Sequence, residues 1–445
     1  MKFISTRSGT SVSLDQAIIS GIAPDGGLYI PDTLPQFTLR DFQHADSITD
    51  VARILLEPFF EGSRLQSDID EILAETFSFP IPLRSLPADG GALQMLELFH
   101  GPTAAFKDVG ARFLAACLGR LEGHADNPLT ILVATSGDTG GAVAAAIDGR
   151  PGMQVVVLYP EGRISERQAQ QLTCWSDNVL SLAVNGAFDD CQALVKKALD
   201  DPELNVRYRF SSANSINVGR LLPQCTYYAW AGLAHFVKTD RRPGFIVPTG
   251  NLGNGLACLL AKSIGLPIGD VIFATNANRL VADYLAGAEW LPKASEQTLA
   301  SAMDVGNPSN MERLMRLYGE REQLAELVRA VPVFDDEITT EIRRCYQQYE
   351  VAICPHTATA MHVYRSLEDR KRRTTDWIVV ATAHPAKFEQ IVEPIIGATV
   401  PLPETLSEIL ARSSRFTRIE ASLSALQDAM EAHRCLDDTG RAGDK

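Results

Sequence analysis

The sequence predicts an α/β protein with open, mostly parallel sheets flanked by helices, preceded by an additional N-terminal domain. From residue 92 onward, short apolar runs of strand length alternate with amphipathic, helix-like stretches. Several of these runs end in a polar loop that contains glycine and leads into a helix-like stretch. The chain of 445 residues exceeds what one hydrophobic core usually serves, so we expect two or three domains.

The first unit, residues 1–91, has helix-like patterns at 47–60 and 69–77 and a tight turn at Asp25-Gly26-Gly27 that leads into a short strand. Residues 92–240 and 241–445 are expected to form two α/β domains, the second of which ends in a helical tail. The predicted strands are residues 93–98, 129–135, 154–158, 179–183, 244–247, 271–274 and 377–381.

Composition narrows the range of functions. The formal net charge of -14 argues against a broad nucleic-acid surface, which needs clustered Lys and Arg. No apolar run has the length of a signal peptide or a membrane span. The eight cysteines lack CxxC and metal-finger spacing, which suits reduced thiols. We therefore expect a cytoplasmic protein without metal, nucleic-acid or membrane partners.

Lys107 lies at a turn where an apolar, strand-like run (92–99) gives way to a helix-like run (111–121). A lysine amine whose surroundings lower its pKa can form a Schiff base with a carbonyl cofactor. For a single lysine, a place at the surface or at a helix start is the ordinary alternative, because buried lysines are rare.

Three other polar loops follow predicted strands or precede helices, where ligands of open α/β sheets bind. The loop at 135–140 (TSGDTG) offers hydroxyls and free N–H groups for an anion, or a plain helix cap. The stretch 211–220 (SSANSINVGR) could bind a phosphate, or form a turn and cap. The loop at 248–255 (PTGNLGNG) has glycines that let backbone approach a phosphate, and its GxxGxG spacing does not match the dinucleotide fingerprint.

Three further side chains have an ordinary alternative. Arg163 and Ser165 open a helix-like stretch, where a surface loop is the default. His356 could titrate near neutral pH, but a histidine satisfied by backbone at a helix start is the simpler reading, so we leave it out of the catalytic set.

Five stretches in register resemble threonine synthases, pyridoxal-phosphate enzymes of fold type II, the tryptophan synthase β-like group. They are GIAPDGGLYIP (21–31), HGPTAAFKDVGAR (100–112), ATSGDTGGAVA (134–144), SSANSINVGR (211–220) and ATAHPAKF (381–388). The resemblance covers nearly the whole chain. Its departures are Leu252, where many members have Phe, Asn254, where many have Asp, and Arg279, where an Asp is frequent.

The resemblance implies roles for residues of the loops. Lys107 would hold pyridoxal 5'-phosphate, with its phosphate in the loop of Gly250, Asn251, Leu252, Gly253 and Asn254 and its pyridine nitrogen at Thr382. The substrate carboxylate would lie at Thr135, Ser136, Gly137, Asp138 and Thr139, where the position of Asp138 is often Asn in fold type II. The substrate phosphate would lie at Asn214, Ser215, Asn217 and Arg220, with help from Arg163 and Ser165. Lys387 would be a second ammonium near the site, or a surface helix residue.

The implied reaction converts O-phospho-L-homoserine and water to L-threonine and phosphate by γ-elimination and β-addition of water, with the chain as a monomer or homodimer. Three alternatives stay open. The same motifs would serve a lyase that releases phosphate and 2-oxobutyrate. A non-catalytic carrier of the cofactor or a phosphometabolite would not need Lys107, and a nicotinamide oxidoreductase lacks its fingerprint.

Overall fold

The computed structural model describes residues 1–88, 90–123, 127–135 and 137–442, with backbone only for 434–442. In chain order the strands are β1 (Lys2–Ser5), β2 (Ser11–Ser13), β3 (Tyr29–Pro31), β4 (Leu83–Leu86), β5 (Leu93–Glu97), β6 (Leu129–Ala134), β7 (Met153–Pro160), β8 (Val179–Asn185), β9 (Phe210–Ser212), β10 (Gly244–Pro248), β11 (Val271–Thr275), β12 (Val328–Pro332), β13 (Trp377–Ala381) and β14 (Thr417–Glu420).

The α-helices of the described residues are, in chain order, α1 (Leu14–Ser20), α2 (Ile48–Phe60), α3 (Ile69–Thr76), α4 (Lys107–Glu122), α5 (Asp138–Ile147), α6 (Glu166–Thr173), α7 (Phe188–Asp200), α8 (Pro202–Tyr208), α9 (Val218–Leu221), α10 (Gln224–Thr239), α11 (Gly253–Ser263), α12 (Leu280–Leu285), α13 (Met311–Tyr318), α14 (Arg321–Leu327), α15 (Asp335–Tyr349), α16 (Pro355–Ser366), α17 (Asp369–Thr374), α18 (Glu389–Ile396), α19 (Glu404–Leu410) and α20 (Leu423–Ala442).

Two large sheets carry the fold. One has the order β12-β11-β10-β13-β5-β4, in which only β4 is antiparallel to its neighbour. The other has the order β14-β8-β7-β6-β9, and its strands are all parallel. A small antiparallel sheet, β2-β1-β3, belongs to the N-terminal part. The predicted fold class is confirmed.

Each of the seven predicted strands is present, with ends that differ by a few residues at most. Their sequences are apolar almost throughout, as in β7 (MQVVVLYP), because strands of a parallel sheet are buried on both faces. Helix starts follow local chemistry as well. Ser47 and Asp50 form a capping box at the start of α2, so one of the helix-like patterns of the first unit begins where its cap lies.

The sheets interleave along the chain. Strand β5 follows the N-terminal part but pairs with β13, nearly 300 residues later, through the register Leu93 to Trp377. Strand β14, near the C-terminus, pairs with β8 of the other sheet. The boundaries at residues 91 and 240 therefore stay predictions, since strands from distant parts of the sequence complete each sheet.

A large buried cluster lies between the two sheets and holds α4, α10 and α11 against the N-terminal helices α2 and α3. A second covers the outer face of the six-stranded sheet with α15 and α16, and a third covers the outer face of the five-stranded sheet with α7 and α20. The carboxyl ends of strands from both sheets thus face the space around the start of α4. In the part of the chain that the structure describes, no helix has the length and apolarity to span a bilayer.

Candidate active site

The start of α4 lies against the end of β13. The backbone N–H of Phe106 donates to the carbonyl of Thr382 at 2.8 Å, and the N–H of His384 donates to the carbonyl of Ala104 at 3.0 Å. These bonds hold the loop of residues 100–107, the Lys107 loop, along residues 382–388, the Lys387 segment. Thr382 is buried at the end of β13, next to the Lys107 loop.

Lys107 is the first residue of α4, directly after the turn that the sequence predicts. Its side chain is only partly accessible. Burial lowers the pKa of its ammonium to about 8, although the carboxylate of Asp138 opposes that shift. A substantial fraction of the amine is therefore neutral near physiological pH, which is the form that attacks a carbonyl.

Asp138 and Lys387 form a buried ion pair in front of Lys107. The Lys387 Nζ lies 2.7 Å from the Asp138 Oδ1, and the two side chains are 1% and 5% exposed. Burial alone would raise the pKa of Asp138, but the charges of Lys387 and Lys107 outweigh it and lower the pKa to about 2. Asp138 is therefore a carboxylate throughout the physiological range.

Asp108 is a buried carboxylate that the sequence analysis did not single out. Its two oxygens accept the backbone N–H of Thr103 at 2.9 Å and the Thr103 hydroxyl at 2.6 Å. Burial raises the pKa of Asp108, against these hydrogen bonds. The hydrogen bonds between Thr103 and Asp108 close the turn directly before α4, and they thereby fix the direction of the Lys107 side chain at the start of the helix. The signal in the sequence is a Thr five residues before an Asp at a helix start.

His356, at the start of α16, is buried beside the same charges. Its Nε2 accepts the backbone N–H of Ala302 at 3.0 Å, so that nitrogen carries the lone pair. In the neutral ring the proton is then on Nδ1, which is buried without a protein partner. Burial lowers the pKa of His356 to about 4, so the ring is neutral at physiological pH. The hydrogen bond at Nε2 matches the prediction of a histidine satisfied by backbone at a helix start. The unpartnered donor at Nδ1 was not predicted.

In the loop of residues 135–139, the side chain of Thr135 binds the backbone that follows it. The Thr135 hydroxyl accepts the N–H groups of Gly137 and Gly140, each at 3.0 Å, and donates to the Gly137 carbonyl. Gly137 has φ +150°, a conformation that favours glycine, and Thr139 is half-buried in the first turn of α5. Ser136 lies outside the described residues. The first N–H groups of α5 are the anion donors that this arrangement leaves.

The loop of residues 248–255, the glycine loop, leads from β10 into α11. A Cβ on Gly250 would lie 2.6 Å from the Met303 Cα, so this position excludes any side chain. Leu252 has φ +64° and turns the chain into the helix, which begins at Gly253. The first N–H groups of α11 therefore point out of the loop as donors for an anion.

The side chains of the glycine loop are occupied elsewhere. Asn251 donates to the Ser215 hydroxyl at 2.9 Å and accepts the N–H of Ser309 at 2.6 Å. The Asn254 amide oxygen accepts the hydroxyls of Tyr227 and Tyr228 at 2.9 and 2.7 Å. Backbone groups, not these amides, are free for a phosphate, and the cofactor roles of both side chains stay predictions.

Residues 211–220 divide into occupied and free groups. Asn217 is buried, donates to the Ile18 carbonyl at 2.8 Å and accepts the N–H of Gly219 at 2.9 Å. Arg220 is buried as well, and its Nη1 donates to the Ala213 carbonyl at 2.7 Å, whereas its Nε has no partner. Asn214 is exposed, and its Oδ1 accepts the Ser215 hydroxyl at 3.3 Å.

The two residues predicted at the start of α6 differ in environment. Arg163 is exposed on the surface. Ser165 is the N-cap of α6, and its hydroxyl accepts the N–H of Gln168 at 3.2 Å. Their part in binding a substrate phosphate stays a prediction.

These groups fit a cofactor that combines a carbonyl with a phosphate. Lys107 supplies the amine for the carbonyl, and the start of α11 supplies N–H donors for the phosphate. The buried Nε of Arg220 and Nδ1 of His356 are donors whose hydrogen bonds a bound ligand would complete. Arg220 and His356 both interact electrostatically with Lys107, so the two donors and the amine lie in one region that suits a ligand.

Comparisons with known proteins identify the family of the chain. Residues 76–383 match the family profile described as "Pyridoxal-phosphate dependent enzyme". Residues 2–77 match "Threonine synthase N terminus", and residues 357–430 match "Threonine synthase, C-terminal". Fold and site together thus define a pyridoxal-phosphate-dependent enzyme of fold type II.

Curated sequences and solved structures narrow the class. The chain is 41% identical to a threonine synthase of Escherichia coli over 428 residues, which cover 95% of this chain and 97% of that one. A crystal structure of threonine synthase from E. coli superposes with a TM-score of 0.86 at 38% identity, covering 97% of this chain and all of that one. A PLP-bound threonine synthase from Brucella melitensis gives 0.89 at 33% identity, with 97% and 99% covered. This chain belongs to the threonine synthase family.

Proposed function

We propose that this chain converts O-phospho-L-homoserine and water to L-threonine and phosphate. The observation that carries the proposal is Lys107, an amine with a pKa of about 8 at the start of α4, surrounded by a buried carboxylate and unpartnered donors. Pyridoxal phosphate, when bound, supplies the carbonyl that reacts with an amine and the electron sink for the substrate carbons. We further propose a cytoplasmic monomer or homodimer that binds no nucleic acid.

Lys107 moves the protons. Its neutral form takes a proton from the substrate α-carbon, and its ammonium form gives that proton up before the amine takes a second one from the β-carbon. Return of a proton to the substrate carbons then leaves the amine neutral again. The pKa of about 8 keeps both forms populated near neutral pH, which is the condition for an efficient acid and base.

The anionic groups of the substrate go to two places. The N–H groups at the start of α5 and the hydroxyl of Thr139 are suited to the substrate carboxylate. The buried Nε of Arg220 is suited to the phosphate that leaves, because a guanidinium stabilises the charge that develops on the departing oxygen. The exposed groups of Asn214 and Arg163 would contribute less, since water screens them.

The test is a product balance. Protein loaded with pyridoxal phosphate is incubated with O-phospho-L-homoserine, and phosphate, threonine and 2-oxobutyrate are quantified together, with the cofactor-free protein as control. We expect threonine equal to phosphate. Phosphate with 2-oxobutyrate would instead establish the lyase, and the absence of all three products would contradict both activities.

A further inference from the structure

The ion pair between Asp138 and Lys387 has no part in the steps above. Both side chains are almost completely buried, and their charged atoms lie 2.7 Å apart. Taking two charges out of water costs more than a single ion pair usually returns, so such a pair is weak evidence for stability alone. The pair also lies beside Lys107, whose charge acts on Asp138.

Lys387 connects Asp138 to the start of α4. Its ammonium donates to the Thr103 carbonyl at 2.6 Å. Thr103 in turn binds both oxygens of Asp108, the residue that follows Lys107. A continuous series of polar contacts therefore runs from the start of α5, on the five-stranded sheet, to the start of α4.

The Lys387 backbone is held in place independently of this series. Its N–H donates to the carbonyl of His384 at 3.2 Å, and the N–H of His384 donates to Ala104 in the Lys107 loop. The next residue, Phe388, has its ring 5.0 Å from the ring of His356. Lys387 therefore reaches Asp138 from a fixed backbone.

Two lysines compete for one carboxylate. Lys387 makes the close contact with Asp138, while Lys107 interacts with that carboxylate only through its charge. If Lys107 formed the close ion pair instead, its amine would be held as an ammonium and would not be a nucleophile. The other titratable groups facing this cluster are Asp108, Arg220, His356 and His384.

We propose that Lys387 is a positioning residue, which occupies the Asp138 carboxylate so that the Lys107 amine stays free, and which joins the starts of α4 and α5. The proposal rests on the proposed function for its consequence in turnover. Its main readouts, cofactor binding and protein stability, do not require the substrate.

The test is a double-variant cycle of K387M, D138N and K387M/D138N. The matched control is K371M, D270N and K371M/D270N, because Lys371 and Asp270 also lie 2.7 Å apart but are 34% and 53% exposed. For each protein we would measure the melting temperature without cofactor, the affinity for pyridoxal phosphate, the pH at which the visible absorption of the lysine-bound cofactor changes, and kcat and KM.

We expect K387M to move the absorption change to higher pH, because Asp138 is left as an unpaired anion near Lys107, and D138N to move it to lower pH. The double variant should lie between them and recover melting temperature and cofactor affinity relative to K387M. We expect kcat of K387M to fall on the order of a hundredfold, with a smaller change in KM, as for a misplaced amine. The control cycle should be additive with little change in any readout.

The proposal would be overturned if both single variants kept the native pH of the absorption change and the native cofactor affinity. It would also be overturned if the double variant recovered neither melting temperature nor cofactor affinity relative to K387M. If K387M is too unstable to load, recovery in the double variant still supports the pair, and continued instability overturns it. If the native protein forms no product from O-phospho-L-homoserine, the proposed function fails, and the absorption and affinity cycles still decide this proposal.

Discussion

The Lys107 loop and the 211–220 segment differ in how their polar side chains are used. Beside the Lys107 loop, the buried charges of Asp138 and Lys387 form an ion pair, so the amine of Lys107 has no close carboxylate partner. In the 211–220 segment, the buried amide of Asn217 is fully engaged with backbone, and Asn214 is exposed. Arg220 alone of these three combines burial with a free donor.

The difference shows that polar character and position in a motif do not make a binding group. A side chain that already satisfies its hydrogen bonds within the protein must break them to bind a ligand, whereas a buried donor without a partner gains by binding one. By this criterion we expect Lys107 and Arg220 to act on a ligand, Asn217 to stabilise the fold and Asn214 to contribute little. The first three of the following predictions test that order, and the fourth tests the buried ring of His356.

The largest effect is expected at Lys107. K107A should lose both the visible absorption of the lysine-bound cofactor and all measurable turnover, because Lys387, the second amine at the site, is held by the Asp138 carboxylate. The measurements are an absorption spectrum of the loaded protein and the product balance. K262M is the control, because Lys262 is likewise a partly accessible lysine, but it donates to the Gly269 carbonyl away from the site. Full turnover in K107A would remove the residue from the mechanism.

Arg220 should come next. R220K keeps the charge but loses the Nε donor, so we expect kcat/KM for O-phospho-L-homoserine to fall about a hundredfold while the absorption of the bound cofactor persists. Steady-state kinetics check this. R163K is the comparison variant: because Arg163 is exposed, we expect a much smaller loss of kcat/KM there. Equal losses in the two variants would mean that the burial of Arg220 is irrelevant to the substrate.

A stability effect is expected at Asn217. N217A removes two hydrogen bonds: the one that caps α9 at Gly219, and the one to the carbonyl of Ile18 in the N-terminal part of the chain. The free energy of unfolding should therefore fall by about 2 kcal/mol. Urea denaturation measures it. N214A should change the same quantity by less than about 0.5 kcal/mol, because Asn214 is exposed. A large kinetic defect in N217A at native stability would instead place its amide on the substrate.

The last prediction concerns acid stability, and its effect is absent at neutral pH. The pKa of His356 is lowered to about 4, so between roughly pH 6.5 and 4 the unfolded chain binds a proton that the folded one does not. Stability should therefore fall as the pH falls through this window, by up to about 3 kcal/mol from this residue. H356Q, which can keep an acceptor for Ala302, should flatten the pH dependence measured by urea denaturation, and H44Q, at an exposed position, should not.

Much of the fold was predictable because it depends on local patterns. The apolar runs of the parallel strands and the cap of α2 are visible in neighbouring residues, and the structure has all seven predicted strands. The turn before Lys107 was predictable for the same reason, although α4 begins at Lys107 itself, four residues before the predicted helical run. Which strands pair was not, because β5 meets β13 from nearly 300 residues away, and no local pattern encodes that register.

The sequence by itself determined the fold class and the family, and it singled out Lys107 as the candidate for the centre of the site. Only the tertiary structure decided which of the other polar residues remain free for a ligand. In the folded protein Asp138 is paired with Lys387, and the oxygen and nitrogen of the Asn217 amide both have backbone partners. The Nε of Arg220 and the Nδ1 of His356 are left without protein partners. The physical reason is that the free energy of a polar group depends on burial and on its partner, and both are supplied by residues far away in the sequence.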